Sequence, residues 1–401
     1  MEASQTELVA QASATLYPNY RQPPLVLARG EGSAVWDVAG KRYLDLAAGI
    51  AVSSLGHAHP ALVEAIADQA ARLIHVSNYF YNERNVELAA RLTKVTGMSR
   101  AFFCNSGTEA IEACLKLTRR HFFAKGQESR YRIIAFEQSF HGRTLGALAA
   151  TGQKAYRDGF GPLPGVTHVP YGDVRAVREA MSPDVAGILV EPVQGEGGVN
   201  PAPTGFLRAL RELCDGAGAL LVADEVQTGI GRTGKFLAFE HAGVSADVVA
   251  LAKGLGGGVP IGAMLCRWEL SDALPPGSHG STFGGNALAS AAALAVLDTV
   301  TKEGLIEGAV SKGAHLARAL AGLAAKHEKT VETSRGLGLL QALVLKEAVD
   351  ARAIVGQLRD AGLLLTIAGS RALRFSPPLT VALADLDEGI AIVDRVLSAH
   401  S

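Results

Sequence analysis

The chain has 401 residues, of which 48% are apolar and 19% charged, and its formal net charge is −1. This composition excludes a disordered chain, and the lack of any basic stretch argues against a nucleic-acid-binding protein. The N-terminal residues resemble no signal peptide and no apolar stretch reaches the ~18 residues that span a membrane, so we expect a cytoplasmic protein without a membrane partner.

Short apolar strands and amphipathic helices alternate along most of the chain. Two strands, Ala34–Asp37 and Arg42–Asp45, come first. Further strands are predicted at 101–104, 133–136, 186–190, 219–223, 248–251 and 261–266, and helices at 60–75, 86–95, 108–123, 174–181 and 205–215. Strands that are apolar throughout are typical of a sheet covered on both faces. The alternation therefore predicts a doubly wound, mainly parallel α/β sheet.

The pattern changes after Asn286. Long helices are predicted at 287–301 and 308–326, short strands near 336–344 and 371–375, and a last helix at 381–399. We interpret this part as a smaller α/β domain. The predicted division is an N-terminal segment, 1–54, that packs with the small domain, a large domain, 55–285, and the small domain, 286–401.

The segment 105–110, NSGTEA, follows a strand and opens a helix. Free N–H groups and the positive end of the helix dipole make such a site suitable for a phosphate, with Ser106, Gly107 and Thr108 as candidates. Ser106 and Glu109 also have the spacing of a capping box, in which the serine side chain serves the helix itself. Both interpretations can hold together, because cap and anion use different N–H groups.

The segment 139–144, SFHGRT, also follows a strand. An aromatic side chain such as Phe140 can stack on a planar ring, and Arg143 can bind a carboxylate through two parallel hydrogen bonds. For His141 the favoured interpretation is a neutral ring held by backbone hydrogen bonds, without a role in proton transfer.

Two strand ends carry charged residues. The strand at 219–223 leads into Asp224, and the strand at 248–251 leads to Lys253 and a glycine cluster. In an open α/β sheet this edge is where ligands bind. A lysine with a lowered pKa can act as a Schiff-base nucleophile, and an aspartate facing a protonated pyridine nitrogen maintains pyridoxal phosphate as an electron sink.

Two other patterns are rejected. Residues 229–235, GIGRTGK, resemble a phosphate-binding loop, but Phe236 stands where the hydroxyl residue belongs, so we do not expect a nucleotide site. The four cysteines form no C-x-x-C pair, and His57 and His59 lack a carboxylate at ligand spacing. We therefore expect reduced thiols and no metal site.

Taken together, these motifs resemble the class III aminotransferases, which are pyridoxal-phosphate enzymes of fold type I. The resemblance covers about residues 17–399 and rests on eight segments in order: 55–60, 105–110, 139–144, 191–198, 221–235, 251–263, 280–286 and 373–379. Within the family, the acetylornithine aminotransferases of arginine biosynthesis are most similar. The resemblance implies pyridoxal 5'-phosphate as cofactor, a cycle through pyridoxamine phosphate, and a homodimer with shared active sites.

The resemblance also implies roles for individual residues. Lys253 binds the cofactor covalently and moves the proton, and Asp224 pairs with the pyridine nitrogen. Gln227 lies near the ring hydroxyl and Phe140 stacks on the ring. Gly107 and Thr108 hold the phosphate, which Thr282 of the neighbouring subunit completes, with Ser281 near the substrate.

For the substrates, the resemblance implies N2-acetyl-L-ornithine as amino donor and 2-oxoglutarate as acceptor. Arg143 takes the distal carboxylate and Arg374 the α-carboxylate of glutamate, while Glu196 pairs with Arg374 when the other donor binds. An unpaired buried guanidinium would be costly, which gives this switch a physical reason. Ile50 stands where free-ornithine aminotransferases carry a tyrosine, which favours an acylated donor.

Other functions remain open. The same chemistry could serve succinylornithine, succinyl-diaminopimelate, free ornithine or 4-aminobutyrate. A semialdehyde aminomutase needs no second keto acid, so the Glu196–Arg374 pair argues against it. A non-catalytic member of the fold would be expected to lack Lys253 or Asp224, and both are present.

Overall fold

The computed structural model describes residues 4–400, so residues 1–3 and 401, at the ends of the predicted domains, lie outside it. The helices are α1 (Gln5–Thr15), α2 (Ala48–Ala51), α3 (Pro60–Arg72), α4 (Glu83–Thr96), α5 (Gly107–Ala124), α6 (Leu145–Ala150), α7 (Lys154–Arg157), α8 (Val174–Ala180), α9 (Phe206–Ala217), α10 (Ala287–Lys302), α11 (Leu305–Lys326), α12 (Ala351–Asp360) and α13 (Leu383–Ser398). None of the helices within residues 4–400 is long and apolar enough to cross a membrane.

The strands form one large sheet and three smaller ones. They are β1 (Leu27–Glu31), β2 (Ala34–Asp37), β3 (Arg42–Asp45), β4 (Arg100–Cys104), β5 (Arg132–Phe136), β6 (Val166–Val169), β7 (Val185–Val190), β8 (Val193–Gln194), β9 (Asn200–Pro201), β10 (Leu220–Asp224), β11 (Val248–Leu251), β12 (Gly262–Cys266), β13 (Val331–Leu337), β14 (Leu340–Leu345), β15 (Leu363–Leu364), β16 (Thr366–Ala368) and β17 (Ala372–Phe375).

The large sheet has seven strands in the order β4-β12-β11-β10-β7-β5-β6. Neighbouring strands from β11 to β6 are parallel, whereas β12 runs antiparallel to both β11 and β4. Every residue of β7 and β11 is buried, because helices cover both faces of the sheet. This mixed, mostly parallel sheet confirms the predicted α/β fold.

A second sheet, in the order β13-β14-β17-β16, lies in the C-terminal part of the chain and packs against α11. The N-terminal strands form a third sheet in the order β1-β2-β3-β15, in which β3 pairs in parallel with β15. The N-terminal segment is therefore hydrogen-bonded to the C-terminal part. Helix α10 packs against α3 and α4, so it contacts both predicted domains, and the boundary at 285 stays a prediction.

Candidate active site

A cavity of about 210 Å³ lies at the carboxyl ends of the central strands. This is the edge of an open α/β sheet at which ligands bind. Its walls combine the ends of strands with the start of α5, and the residues that line it are Gly107, Thr108, Phe140, His141, Gly142, Arg143, Glu191, Glu196, Asp224, Val226, Gln227 and Lys253. The fold thus brings together residues from the 105–110, 139–144, 191–198, 221–235 and 251–263 segments.

Asp224 is the last residue of β10, and its carboxylate is nearly fully buried. Its Oδ2 lies 2.7 Å from His141 Nδ1, and its Oδ1 accepts the N–H of Val226 at 3.0 Å. The histidine ring is therefore held by a carboxylate, and the prediction that backbone hydrogen bonds hold it was wrong. His141 Nε2 is buried without a partner among residues 4–400.

Lys253 follows β11 and begins a short 3₁₀ turn, Lys253–Leu255, with φ of +42°. Positive φ is unusual for a residue with a side chain and is found most often at functional sites. The turn is held in place by Ser54, whose Oγ donates to the carbonyl of Gly254 at 2.9 Å. Burial lowers the pKa of Lys253, although the carboxylate of Glu196 opposes part of that effect. A larger fraction of neutral amine makes this lysine a better nucleophile.

The turn that Lys253 begins packs against another strained segment, residues 48–51. Ala48, Ile50 and Ala51 have φ of +45°, +67° and +62°, a left-handed turn that costs roughly 1–2 kcal/mol per residue. Asp45 stabilises the start of this turn, because its Oδ1 accepts the N–H groups of Ala47 and Ala48. Ile50, predicted to favour an acylated donor, lies in this strained turn, is exposed and does not line the cavity.

The start of α5 supplies the candidate phosphate site. Ser106 is the N-cap, and its Oγ accepts the N–H of Glu109 at 3.3 Å, so its side chain serves the helix, as the alternative interpretation allowed. Gly107 and Thr108 line the cavity, whereas Ser106 does not. Thr108 Oγ1 accepts the N–H groups of Arg143 and Thr144 at 3.2 and 3.3 Å, which ties the helix start to the loop at 139–144.

Gln227 and Phe140 line the cavity near Asp224. Both amide atoms of Gln227 are buried, and neither makes a hydrogen bond of normal geometry within residues 4–400, although the amide lies near enough to Glu196 to help lower the pKa of its carboxyl. A buried amide without partners is costly, which makes it a ready partner for a polar group of a ligand. Each polar group of pyridoxal phosphate has a matching group here. Asp224 suits the pyridine nitrogen, Lys253 the aldehyde, Gln227 the ring hydroxyl and the start of α5 the phosphate. The residues present therefore fit this cofactor.

The predicted Glu196–Arg374 pair is formed. Arg374 Nη1 donates to Glu196 Oε1 at 2.5 Å, and Arg374 Nε donates to Thr366 Oγ1 at 3.1 Å. The arginine side chain is 1% exposed, against 22% for the glutamate. Burial alone would raise the pKa of Glu196, but the charges of Arg374 and Lys253 outweigh it and hold the pKa below its ordinary value. The more accessible glutamate is the partner that can move.

Four predicted site residues do not line this cavity: Ser106, which caps α5, Arg374, which stands behind Glu196, and Ser281 and Thr282. Thr282 is exposed, and Ser281 Oγ accepts the N–H of Gly284 at 3.0 Å. The segment is tied to residue 78, because Asn78 Nδ2 donates to the carbonyls of Ser281 and Gly284. A single chain therefore leaves Ser281 and Thr282 outside its own cavity.

Besides His141 and Gly142 of the 139–144 segment, the prediction of site residues from sequence missed two further residues of the cavity wall, Glu191 and Val226. Glu191 Oε2 accepts the N–H of Phe140 at 3.0 Å, which orients the predicted stacking residue. Burial raises the pKa of Glu191 well above its ordinary value, and the nearby Asp224 adds to that effect. Both residues stand at strand ends, inside segments 191–198 and 221–235, and that position was the available signal.

The glycine-rich segment 229–235 is an internal connection. Arg232 is buried, and its guanidinium donates to the carbonyls of Leu339 and Pro377 in the C-terminal part of the chain. No helix begins there, so it does not present the helix start that a phosphate-binding loop requires. Among residues 4–400 no group of three metal-ligating side chains is found, and the four cysteines are free and buried.

Comparison with known proteins agrees with this geometry. Residues 15–397 match the family model of aminotransferase class-III. The chain belongs to this family. Membership confirms the predicted aminotransferase activity and its pyridoxal-phosphate cofactor. The chain is 51% identical to an acetylornithine aminotransferase of Myxococcus xanthus over 390 residues, 96% of each chain.

Solved structures of this family superpose closely on the whole chain. An ornithine aminotransferase from Toxoplasma gondii ME49 has a TM-score of 0.96 at 34% identity, covering 100% of this chain and 96% of that one. An acetylornithine aminotransferase from Elizabethkingia anophelis has a TM-score of 0.88 at 34% identity, covering 99% and 100%. The fold is therefore shared by enzymes named for donors with and without an acetyl group.

Proposed function

We propose that this aminotransferase moves the δ-amino group of N2-acetyl-L-ornithine to 2-oxoglutarate, giving N-acetyl-L-glutamate 5-semialdehyde and L-glutamate in arginine biosynthesis. The observation that carries the proposal is the pair formed by Glu196 with the buried Arg374, together with an Arg143 that lines the same cavity and makes no ion pair within residues 4–400. The guanidinium of Arg374 is neutralised by Glu196, whereas the guanidinium of Arg143 is available to a ligand. That combination suits a site that must accept donors with and without a carboxylate on the reacting carbon.

In this proposal Lys253, Asp224 and Gln227 hold pyridoxal phosphate by its aldehyde carbon, pyridine nitrogen and ring hydroxyl. Gly107 and Thr108 bind the phosphate at the start of α5. When bound, the cofactor supplies an electron sink for the negative charge that develops at the reacting carbon. Lys253 Nζ would take a proton from that carbon and deliver it to the aldehyde carbon of the cofactor, for which a lowered amine pKa is suited.

Asp224 holds the proton of the pyridine nitrogen in place, and His141 orients the carboxylate through the 2.7 Å contact with Oδ2. Because His141 and Asp224 are almost fully buried, their interaction is protected from water and is strengthened.

Arg143 binds the carboxylate that is distant from the reacting carbon in both substrates. When N-acetylornithine occupies the site, Glu196 neutralises Arg374, since that donor has no carboxylate next to its reacting carbon. When glutamate or 2-oxoglutarate binds, its α-carboxylate takes the place of Glu196 on Arg374. The exchange replaces one carboxylate by another, so the buried guanidinium is never left unpaired.

We also propose a cytoplasmic homodimer, with Thr282 and Ser281 completing the cavity of the partner subunit. Next to them lies an aromatic patch formed by Tyr79, Phe80, Tyr81 and Phe283, with exposures of 89%, 71%, 93% and 58%. Contiguous exposed apolar surface of this kind marks an interaction site. The patch supports an interface at the place where the two predicted partner-site residues lie.

Free L-ornithine is the second candidate donor, because the ornithine aminotransferase from T. gondii superposes with a TM-score of 0.96. Steady-state kcat/KM with 2-oxoglutarate separates the candidates when N2-acetyl-L-ornithine, L-ornithine and 4-aminobutyrate are compared. We expect N2-acetyl-L-ornithine to be preferred at least about ten-fold, or about 1.4 kcal/mol in the transition state. Preference for L-ornithine would refute the proposed donor and retain the family.

A further inference from the structure

The guanidinium of Arg143 rests on aromatic rings. Its Cζ lies 3.7 Å from the ring centroid of Tyr156 and 5.5 Å from that of Phe140. No carboxylate of residues 4–400 lies within 4.0 Å of it, although the residue lines the cavity. A cationic side chain at the cavity wall is thus held by a neighbour that does not compete for its hydrogen bonds.

The geometry matters because a guanidinium has a face and an edge. At 3.7 Å the ring of Tyr156 covers the face, where cation–π attraction acts. The N–H donors lie in the plane of the group, so stacking leaves them free for two parallel hydrogen bonds to a carboxylate. A salt bridge to a protein carboxylate would occupy those donors instead.

Tyr156 is itself held in place. It lies in α7, and the next residue, Arg157, contacts His168 Nδ1 through its Nη1 at 3.2 Å. His168 belongs to β6, and its Nε2 lies 3.2 Å from the carbonyl of Ala150. Burial lowers the pKa of His168 to about 4, which leaves the ring neutral, so Nδ1 accepts from the guanidinium and Nε2 donates to the carbonyl. The short helix is thereby attached to the edge of the large sheet.

The ring of Phe140 completes the arrangement. It meets Tyr156 edge to face, with centroids 6.1 Å apart and an interplanar angle of 88°. Phe140 lines the cavity, and Glu191 fixes its backbone. The ring that supports Arg143 is therefore packed against Phe140, the residue predicted to stack on the cofactor.

We propose that Tyr156 is a positioning residue that presents the free edge of Arg143 to the substrate and so sets the preference for substrates with a distal carboxylate. The inference rests on the carboxylate role of Arg143 in the proposed function and adds the residue that prepares it. Holding the guanidinium in its binding orientation before the substrate arrives lowers the entropy that binding must otherwise remove.

The test uses the holoenzyme converted to its amine form, in single-turnover reactions with two keto acids. These are 2-oxoglutarate and 2-oxopentanoate, which has a methyl group in place of the distal carboxylate. Tyr156→Leu removes the stacking ring, Tyr156→Phe retains it, and Tyr131→Leu is a matched loss of a half-exposed tyrosine elsewhere.

In Tyr156→Leu we expect the half-saturating concentration of 2-oxoglutarate to rise about five- to ten-fold, with little change in the maximal rate and none for 2-oxopentanoate. In both Tyr156→Phe and Tyr131→Leu, the half-saturating concentration of 2-oxoglutarate should equal that of the wild type. Unchanged 2-oxoglutarate binding in Tyr156→Leu, or equal weakening of both keto acids, would overturn the inference alone. A wild-type enzyme that does not distinguish the two keto acids would overturn the role of Arg143 as well.

Discussion

At the scale of single residues, two arginines of different kinds accompany the cavity's lysine: Arg143 lines the cavity, and Arg374 pairs with the lining residue Glu196. Arg374 is buried and paired with Glu196, whereas Arg143 is stacked on aromatic rings and has free donors. Desolvation explains why the two arginines differ. A buried guanidinium is stable only with a charged or hydrogen-bonding partner, whereas an exposed one remains hydrated until a ligand binds. The pair to Arg374 could be expected from the resemblance, but the stacking on Tyr156 could not, since spacing along the chain does not reveal ring orientation.

Glu196→Gln tests whether this pair selects between donors. The amide cannot neutralise Arg374, so a donor without a carboxylate on its reacting carbon would bind beside an unpaired charge. We expect kcat/KM for N2-acetyl-L-ornithine to fall at least about ten-fold, while glutamate retains its value within about three-fold. Equal losses for both donors would contradict a switch and indicate a general role for Glu196.

At the scale of elements, the site depends on contacts between segments distant in the sequence. The strands that deliver Asp224 and Lys253 could be predicted from their apolar runs, and they end within a residue or two of the expected positions. Helix α7 and strand β6 were not predicted, because they are short and lack a strong period. For the same reason the His168 contact, which attaches α7 to the sheet, had no signal in the sequence.

Gly142→Ala tests the contact between the 139–144 loop and the start of α5. At Gly142 φ is +133°, and an added Cβ would lie 2.5 Å from Thr108 Cβ. The substitution must displace Thr108 and with it the proposed phosphate site. We expect the dissociation constant of pyridoxal phosphate to rise about ten-fold, measured by titration of the apoenzyme.

Gly159→Ala is the matched control for this substitution. It also has positive φ, +87°, but its added Cβ meets nothing within 4 Å. A comparable loss of cofactor affinity in both variants would attribute the effect to backbone strain and contradict the role of the Thr108 contact.

The link between β6 and α7 predicts a pH dependence of stability. His168 has a folded pKa of about 4, below its ordinary value of 6.5, so the unfolded chain binds the proton more tightly. Its contribution to stability is complete above pH 6.5 and is lost as the pH falls from 6.5 to about 4. Because the ring is partly exposed and solvent screens its charge, we expect that loss to be on the order of 2 kcal/mol. Urea unfolding of wild type and His168→Gln between pH 7 and 4.5 should show a shallower decline in the variant. Parallel declines would contradict this assignment.

At the scale of the whole molecule, the fold joins distant parts of the chain. Strand β3 pairs with β15, and Arg232 reaches the carbonyls of Leu339 and Pro377. The α/β class and the large sheet could be predicted from composition and strand–helix alternation. The antiparallel β12 could not, because apolar runs do not encode strand direction. The proposal that a partner subunit supplies Ser281 and Thr282 comes only from the resemblance.

Complementation tests the shared site. Lys253→Ala removes the lysine, and Thr282→Arg would block the cavity that this residue is proposed to complete. Each variant alone should be inactive. In a mixed dimer formed by reassociation, one site has Lys253 from one subunit and Thr282 from the other, so activity should return. Continued inactivity, with mixed dimers shown to form, would contradict sharing.

The most direct test of the central claim, that Lys253 and Asp224 hold pyridoxal phosphate for transamination, is an absorbance titration of the purified holoenzyme. N2-acetyl-L-ornithine is added first without a keto acid, and 2-oxoglutarate is added afterwards. We predict that the visible band of the bound cofactor bleaches in the first step and returns in the second. In Lys253→Ala we expect neither the bleaching nor the return of the band. The claim would be contradicted if no visible band appeared after pyridoxal phosphate was added, or if no amino donor changed that band.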